Sequence, residues 1–548
     1  VLDNDFEIEL FAAEPLVQDP VEMIFDERGN IYVVEMPDYP FQPEGPEGKG
    51  RIKILLDRNA DGQIDDVVVF ADGIKDATSV QPWEGGVLVT AAPYIYFMKD
   101  TNGDFIADEK EVLFSGFFQE NQEAQITNLR FNIDNWVYAA NHGRSADVLF
   151  SRDASQTPLK LRGADFRFRL DKGLFEPETA AAQFGQALND WGHRFITQNT
   201  LHIQQAVVPW RYLNRHPHLP STKGTKNISD HDLLMFQRTD APYWRVERSN
   251  RRQKKYDEQE LDRIEHIDSH FTGASGGTHY GGDLFPEDYQ GSIFTGEVMG
   301  NLVHRDVITL PHDEVSYRAQ RGSGDKHSEF LVSTDPWFRP AHFTVGPDGA
   351  LYVVDMYRQH IETPLSIPED LKEEMDFMRG SDKGRIYRIV PKGHQDGLPF
   401  SDLQRNRGAK DYVQWLTHPN QWYRLHGQRM LLELQDESVL PKVKELFENH
   451  EDARTRLHAF YVMEGMDALS TDVVKRALMD SHPRVREHGL ILAESCKTCF
   501  NDIAALATDH DLRVVMQTAL SVGFFPANKA QPILVDILLK YYQDEWIR

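Results

Sequence analysis

For its first four hundred residues the chain alternates short apolar and aromatic runs with tight polar turns. "VEMIFDERGNIYVVEM" (21–36) reads as strand, Asp/Gly turn, strand. The unit recurs as "SVQPWEGGVLVTAA" (79–92), "NLRFNIDNWVYAANH" (128–142), "FGQALNDWGHRFITQN" (184–199), "YGGDLFPEDYQGSIFTGEV" (280–298) and "AHFTVGPDGALYVVDM" (341–356). Period-two alternation bounded by Gly, Asn and Asp marks hairpins. A second repeat has a spacing of 43 residues: "RIKILLD" (51–57) matches "YIYFMKD" (94–100), and "VVVFADGI" (67–74) matches "KEVLFSGF" (110–117). A repeat of that length built from strands predicts propeller blades. Six inner hairpins predict six blades over residues 1–395, with room for a seventh between 200 and 277. Residues 205–270 break the rhythm as an insertion. Its charged stretch "YWRVERSNRRQKKYDEQELDRIEHI" (243–267) predicts a partly helical surface excursion, or else a lid over the axial mouth.

Past residue 395 the period changes. A linker over 396–410 leads into helical patterning over 411–548, where a D/H-x-x-x-R start precedes each apolar face. The aligned arginines are Arg424, Arg456, Arg486 and Arg513, about thirty residues apart, as expected of HEAT-like repeats. The fold class is therefore multidomain, all-β plus all-α: a β-propeller followed by an α-solenoid. The closing "DEWIR" reads as the start of another repeat, so the native chain is expected to continue beyond Arg548. Val1 in place of an initiator Met suggests a trimmed N-terminus.

The Asp-rich turns resemble calcium loops. Asp100, Asn102, Asp104, Asp108 and Glu111 occupy positions 1, 3, 5, 9 and 12 of an EF-hand spacing, and Asp57, Asn59, Asp61 and Asp65 repeat positions 1, 3, 5 and 9. Phe105 stands where that loop wants Gly. Strands, not helices, flank both segments, which makes them turns between the third and fourth strands of a blade. Calcium there would be a structural clip.

Lettering the strands of a blade A to D from the axis outward puts those turns on the face away from the ends of the B strands. Aligning the hairpins on Tyr32, Leu88, Tyr138, Phe195, Phe294 and Tyr352 brings Glu35, Ala91, Asn141, Gln198, Glu297 and Asp355 into register, five of the six oxygen acceptors. This ring at the axial mouth, with Tyr39, Asn128, His279, Tyr357 and His360 nearby, has two readings. It is hydrogen-bonded scaffolding, or it holds a polyhydroxylated ligand or cofactor. In the second reading His142 or His342 is the candidate general base, and Arg144, Arg339 or Arg358 could hold an anion. No His spacing makes a zinc motif.

A net charge of −27 argues against nucleic acid and anionic membrane surfaces as partners. No apolar run reaches transmembrane length. The two cysteines, in "SCKTCF" (Cys496, Cys499), lack the His of a c-type haem motif, so no haem is expected on this chain. A local disulfide or two quiet thiols remain.

"FEIELFAAEPLVQDPVEMIFDERGNIYVVEMPDYP", "GRIKILLDRNADGQIDDVVVFADGI", "GNLVHRD" and "DPWFRPAHFTVGPDGALYVVDMYR" resemble the planctomycete–verrucomicrobial (PVC-type) membrane-bound dehydrogenase family, strongly over about residues 5–395. The resemblance implies a sugar-dehydrogenase-like propeller and export to the periplasm or cell surface, free or lipid-anchored. It also implies pyrroloquinoline quinone as the acceptor and a c-type cytochrome as partner or as a further domain. It assigns no catalytic residue. The expected function is a sugar or polyol dehydrogenase-like oxidoreductase. The alternatives are a carbohydrate- or partner-binding propeller without catalysis, and a propeller polysaccharide lyase.

Overall fold

A computed structural model describes residues 1–548 apart from 60, 61, 217, 219–222 and 232. Each hairpin of the sequence pattern except the fifth supplies the two innermost strands of an antiparallel blade of four or more strands. The A strands are Pro20–Phe25, Ala77–Trp83, Thr127–Phe131, Gly185–Leu188, Ala274–His279 and Pro340–Val345, and they surround the axis. The described residues form six blades. The 200–277 stretch completes the fourth with its C and D strands, Leu201–Ala206 and Thr225–Asn227, rather than forming a seventh. The charged segment folds as the helix Tyr243–Glu258, which buries Trp244, Arg245 and Arg248.

The fifth A strand differs from the sequence pattern. It is "ASGGTH" (274–279), ahead of the stretch that reads as a hairpin, and 280–292 is a connection. Its glycines hide it from a hydrophobic pattern, and packing requires them. Gly276 sits at φ +65 within a register shift between Ser275 and Thr278, and a Cβ on Gly277 would collide with Thr197 Oγ1.

Ring closure is also non-local. The outermost strand of the sixth blade is Phe6–Ala13, paired antiparallel with Arg385–Pro391, so the chain's first strand completes its last blade. Phe6 is buried among Phe285, Tyr289 and Phe330. The second blade is extended by the hairpin Ala146–Phe150 and Leu159–Leu161, added to its outer edge.

From Ala409 on, paired helices stack into a region that covers the face formed by the A–B turns. The aligned arginines share a local task. Arg424, Arg456 and Arg486 each donate to the carbonyls six and five residues earlier, closing the turn before the helix. Asn420, Asp452 and His482, four residues ahead of them, cap the helices. Arg456 and Arg486 also pair with Asp480 and Asp509 of the next unit. Arg513 turns instead to the propeller, donating to Glu487 and to the carbonyl of Val315.

The two regions share one apolar core, in which Phe25, Ile133 and Tyr352 meet Trp415, Trp422 and Leu431. Polar contacts reinforce it turn by turn: Arg429 with Glu27, Arg424 with Asp190, His193 with Glu487, and Asn420 with the carbonyl of Gly346. Cys496 and Cys499 are joined as a local disulfide. No helix among the described residues is long and apolar enough to cross a membrane.

Candidate functional site

With the A–B turns covered by helices, the open mouth of the axis lies at the ends of the B strands. The registered position is the last residue of strand B, or one beyond, in every blade. Three of the ring residues perform the same task there. Glu35 accepts from the amide of Gln18, Glu297 from those of Thr272 and Gly273, and Asp355 from that of Arg339. Each amide precedes an A strand, where no ladder can satisfy it, and the acceptor at the end of B is the nearest oxygen. Asn141 and Gln198 make the complementary bonds, donating to the carbonyls of Ala164 and Ala181. The ring is thus a set of clasps between links and blades, and none of the five side chains lines the axial cavity.

The arginines are similarly committed. Arg358 is fully buried, donating from Nε to Asp19 at 2.6 Å and to the carbonyls of Phe377 and Tyr39. Arg339 donates to the carbonyls of Arg358 and Gln359, and Arg144 lies over the ring of Phe118. Tyr357 donates to Asp335 beneath Arg385, and His360 lies 5.9 Å from the ring of Phe377. His142 is half-buried in the turn after the third B strand, where burial and then Arg144 lower its pKa. His279 ends its A strand and so faces the helical side, where Nδ1 is 3.3 Å from Gln421.

The cavity at the open mouth has a volume of about 200 Å³. Tyr39, Asn128 and His342 line it as the sequence suggested. The rest of its polar wall includes Glu22, Glu123, Glu362, Gln183 and Thr272, and its apolar wall includes Met36, Met299, Met356 and Ile361. No Lys or Arg is among the described residues that line it. The arginines lie one layer back: Arg248 pairs with Glu362, and Arg245 donates to the carbonyl of Ile267.

Glu22 and His342 form the floor and are held from beneath by Arg130, which lines the second cavity, so the triad spans three A strands. Glu22 accepts from the Ser79 hydroxyl at 2.8 Å and from Arg130 at 3.2 Å, and its other oxygen is 3.8 Å from His342 Nε2. Arg130 also donates to His342 Nε2. Burial, then the Arg130 charge, holds His342 far below the ordinary imidazole range, so it is neutral and its basic nitrogen is already occupied. Beyond this floor a second cavity, of about 150 Å³, is closed by Asn420, Gln421 and Arg429 of the helical region. At the rim, Glu123 accepts from the Tyr39 hydroxyl at 2.7 Å. Burial first, and the neighbouring Glu362 second, raise its pKa to about 7. Glu22, Glu123 and Glu362 escape sequence reasoning because two lie in links and one is a lone acid in "VEMIF", whose value depends on what faces it.

The Asp-rich segments are the predicted C–D turns. Asp100 accepts from the amides of Asn102, Gly103 and Phe105, which outweigh desolvation and lower its pKa. Phe105 takes φ +66 to make this turn, and Gly62 takes φ +87 at the equivalent place, donating to Asp57. Asp104 and Asp108 accept from the amides of Ile106 and Thr101, Asn102 donates to Asp108, and Asp65 accepts from Arg58. Glu111 is paired with Arg152. Asp61 lies outside the described residues, and Asn59 is described and partnered.

The model of a domain of unknown function, DUF7133, matches residues 1–393. No curated protein matches the sequence. Among solved structures, the fold is similar to a quinone-bound aldose sugar dehydrogenase from Streptomyces coelicolor (11% identity, TM-score 0.35, covering 71% of this chain and 100% of that one). It is also similar to an oxidoreductase described as a glucose dehydrogenase from Thermus thermophilus (13%, 0.34, 70% and 100%). A third is the calcium structure of a Trichoderma reesei carbohydrate-active enzyme of family AA12 (10%, 0.36, 72% and 97%). At these identities the likeness is one of fold.

Proposed function

Because the chain belongs to the family of domain DUF7133, whose name carries no chemistry, we propose a function from the open cavity itself: it binds an uncharged polyhydroxylated ligand, a carbohydrate or polyol. The observation that carries this reading is the lining, with three carboxyls, amides and hydroxyls beside methionine faces and no lysine or arginine among the described residues. Such a wall offers acceptors for hydroxyl groups and apolar surface for the C–H faces of a sugar. Glu123, poised near neutrality, is the group able to take or return a hydroxyl proton.

The finer reading, membership of the PVC-type dehydrogenase family and oxidation of the sugar, rests on the sequence resemblance. It brings export to the periplasm or cell surface, a cytochrome partner, HEAT-like repeats after a linker at 396–410, and pyrroloquinoline quinone. The cavity's residues do not fit that quinone. It is a tricarboxylate, and a described lining with Glu22, Glu123 and Glu362 and no cationic side chain gives it no counter-charge. The same lack of a free arginine weighs against a lyase acting on uronates.

Calorimetric titration with a panel of neutral saccharides and polyols tests the proposal. Wild-type protein is expected to bind at least one, and Ala341→Leu, which fills the cavity wall, to abolish that binding. Tighter binding of uronates or of the quinone than of every neutral ligand would overturn it. Calcium belongs to this reading only as a clip at 100–111. A rise in melting temperature with calcium that Asp100→Ala removes would support it, and no rise would exclude it.

A further inference from the structure

On the outer side of the fourth and fifth blades, four metal-ligating side chains converge from three segments far apart in sequence. His202 lies on the C strand Leu201–Ala206, and His304 and Asp306 on the neighbouring C strand Leu302–Thr309. Being two residues apart on a strand, His304 and Asp306 share a face. His231 comes from the excursion that follows the fourth blade. We propose that His202, His231, His304 and Asp306 form a closed binding site for a divalent transition metal of the zinc class, pinning the 228–273 excursion to the propeller.

The geometry supports it in three ways. The Asp306 carboxylate lies 3.2 Å from His202 Nε2, 3.3 Å from His231 Nε2 and 3.4 Å from His304 Nε2. Zinc–nitrogen and zinc–oxygen bonds of about 2.0–2.1 Å in a tetrahedron put ligand atoms about 3.3 Å apart, so these separations are those of a coordination sphere. Next, the cluster is unsatisfied as a purely protein network. Both ring nitrogens of His202, Nε2 of His304 and Oδ2 of Asp306 are buried and make no hydrogen bond, although His202, His304 and Asp306 are fully buried. Orphaned groups of this kind are costly, and a shared cation satisfies the converging lone pairs together.

The third feature is the surrounding shell. His304 Nδ1 is 2.7 Å from Glu329 Oε2, and Glu329 is itself held by Arg321 and the amide of Phe236. A carboxylate on the far nitrogen fixes the tautomer that leaves Nε2 free to ligate. One ligating and one outer carboxylate also balance a doubly charged ion in a buried place. Phe271 stacks on His202 at 4.4 Å and helps close the site. Three imidazoles and one carboxylate select zinc-like ions over calcium or magnesium.

Full-length protein, stripped by chelator dialysis, is titrated with cobalt(II) and then zinc(II). One equivalent of cobalt is expected to give the visible bands of a tetrahedral site, and zinc to bleach them and raise the melting temperature. His231→Ala and Asp306→Asn are expected to lose the bands. Glu329→Gln should keep them with affinity weakened about 10- to 100-fold. A wild-type protein that shows no bands and no zinc-dependent shift overturns the proposal, as does a folded His231→Ala that binds as wild type does. Should either ligand variant fail to fold, the wild-type spectrum and the Glu329→Gln affinity decide the matter.

Discussion

At the scale of single residues, Glu123 shows how position outweighs residue type. It is an ordinary glutamate in the link before the third A strand, and burial beside Glu362 moves its pKa from 4.5 to about 7. Between those values the native state keeps a proton that the unfolded state has released. Stability therefore falls as pH rises through that window. For a partly buried group the loss is on the order of 1–2 kcal/mol. Chemical denaturation at pH 5 and pH 8 should show a smaller difference for Glu123→Gln than for wild type, and equal differences would remove Glu123 as the cause. The arginines carry the opposite lesson. Arg358 reads as an anion binder but is spent on Asp19 and two carbonyls. The sequence shows that such a residue is present and not what surrounds it.

At the scale of elements, the aligned arginines of the helical region divide into two classes that one motif does not distinguish. Arg456 closes a turn and pairs with the next unit. Bonds to a charged group contribute about 1.5–3 kcal/mol each, so Arg456→Leu should lower stability by about 2–4 kcal/mol and speed amide exchange at 450–452. Unchanged exchange there would refute the turn-closing role. Arg513→Leu should instead loosen the contact with the propeller, at the fifth blade through the carbonyl of Val315 and at the fourth through the Glu487–His193 pair. Hairpins were legible because alternation and turn chemistry are local. The fifth A strand was not, because Gly276 and Gly277 are there to let strands approach.

At the scale of the whole molecule, two long-range contacts hold the architecture. Phe6–Ala13 closes the ring against Arg385–Pro391. Phe6→Ala should cost about 3–5 kcal/mol, and removal of residues 1–13 should replace one cooperative unfolding transition with a broader one. A truncated protein that melts like the full chain would contradict closure by this strand. The helical region covers the turn face, where Glu27, Asp190 and Ile133 meet Arg429, Arg424 and a shared core. Residues 1–397 alone should therefore be less stable and expose apolar surface, as dye binding would report.

The sequence by itself determined five of the six inner hairpins and the B strand of the other, the turns rich in Asp, the change from strands to repeated helices, and the register of the acceptors that end the B strands. All of these depend on spacing along the chain. The tertiary structure alone decided what those acceptors do, since an unpaired amide in the adjoining link claims them. It decided which end of the axis is open, since the helices cover the other. It also brought His202, His231, His304 and Asp306 together, about a hundred residues apart at the extremes. No local spacing records a contact between neighbouring blades.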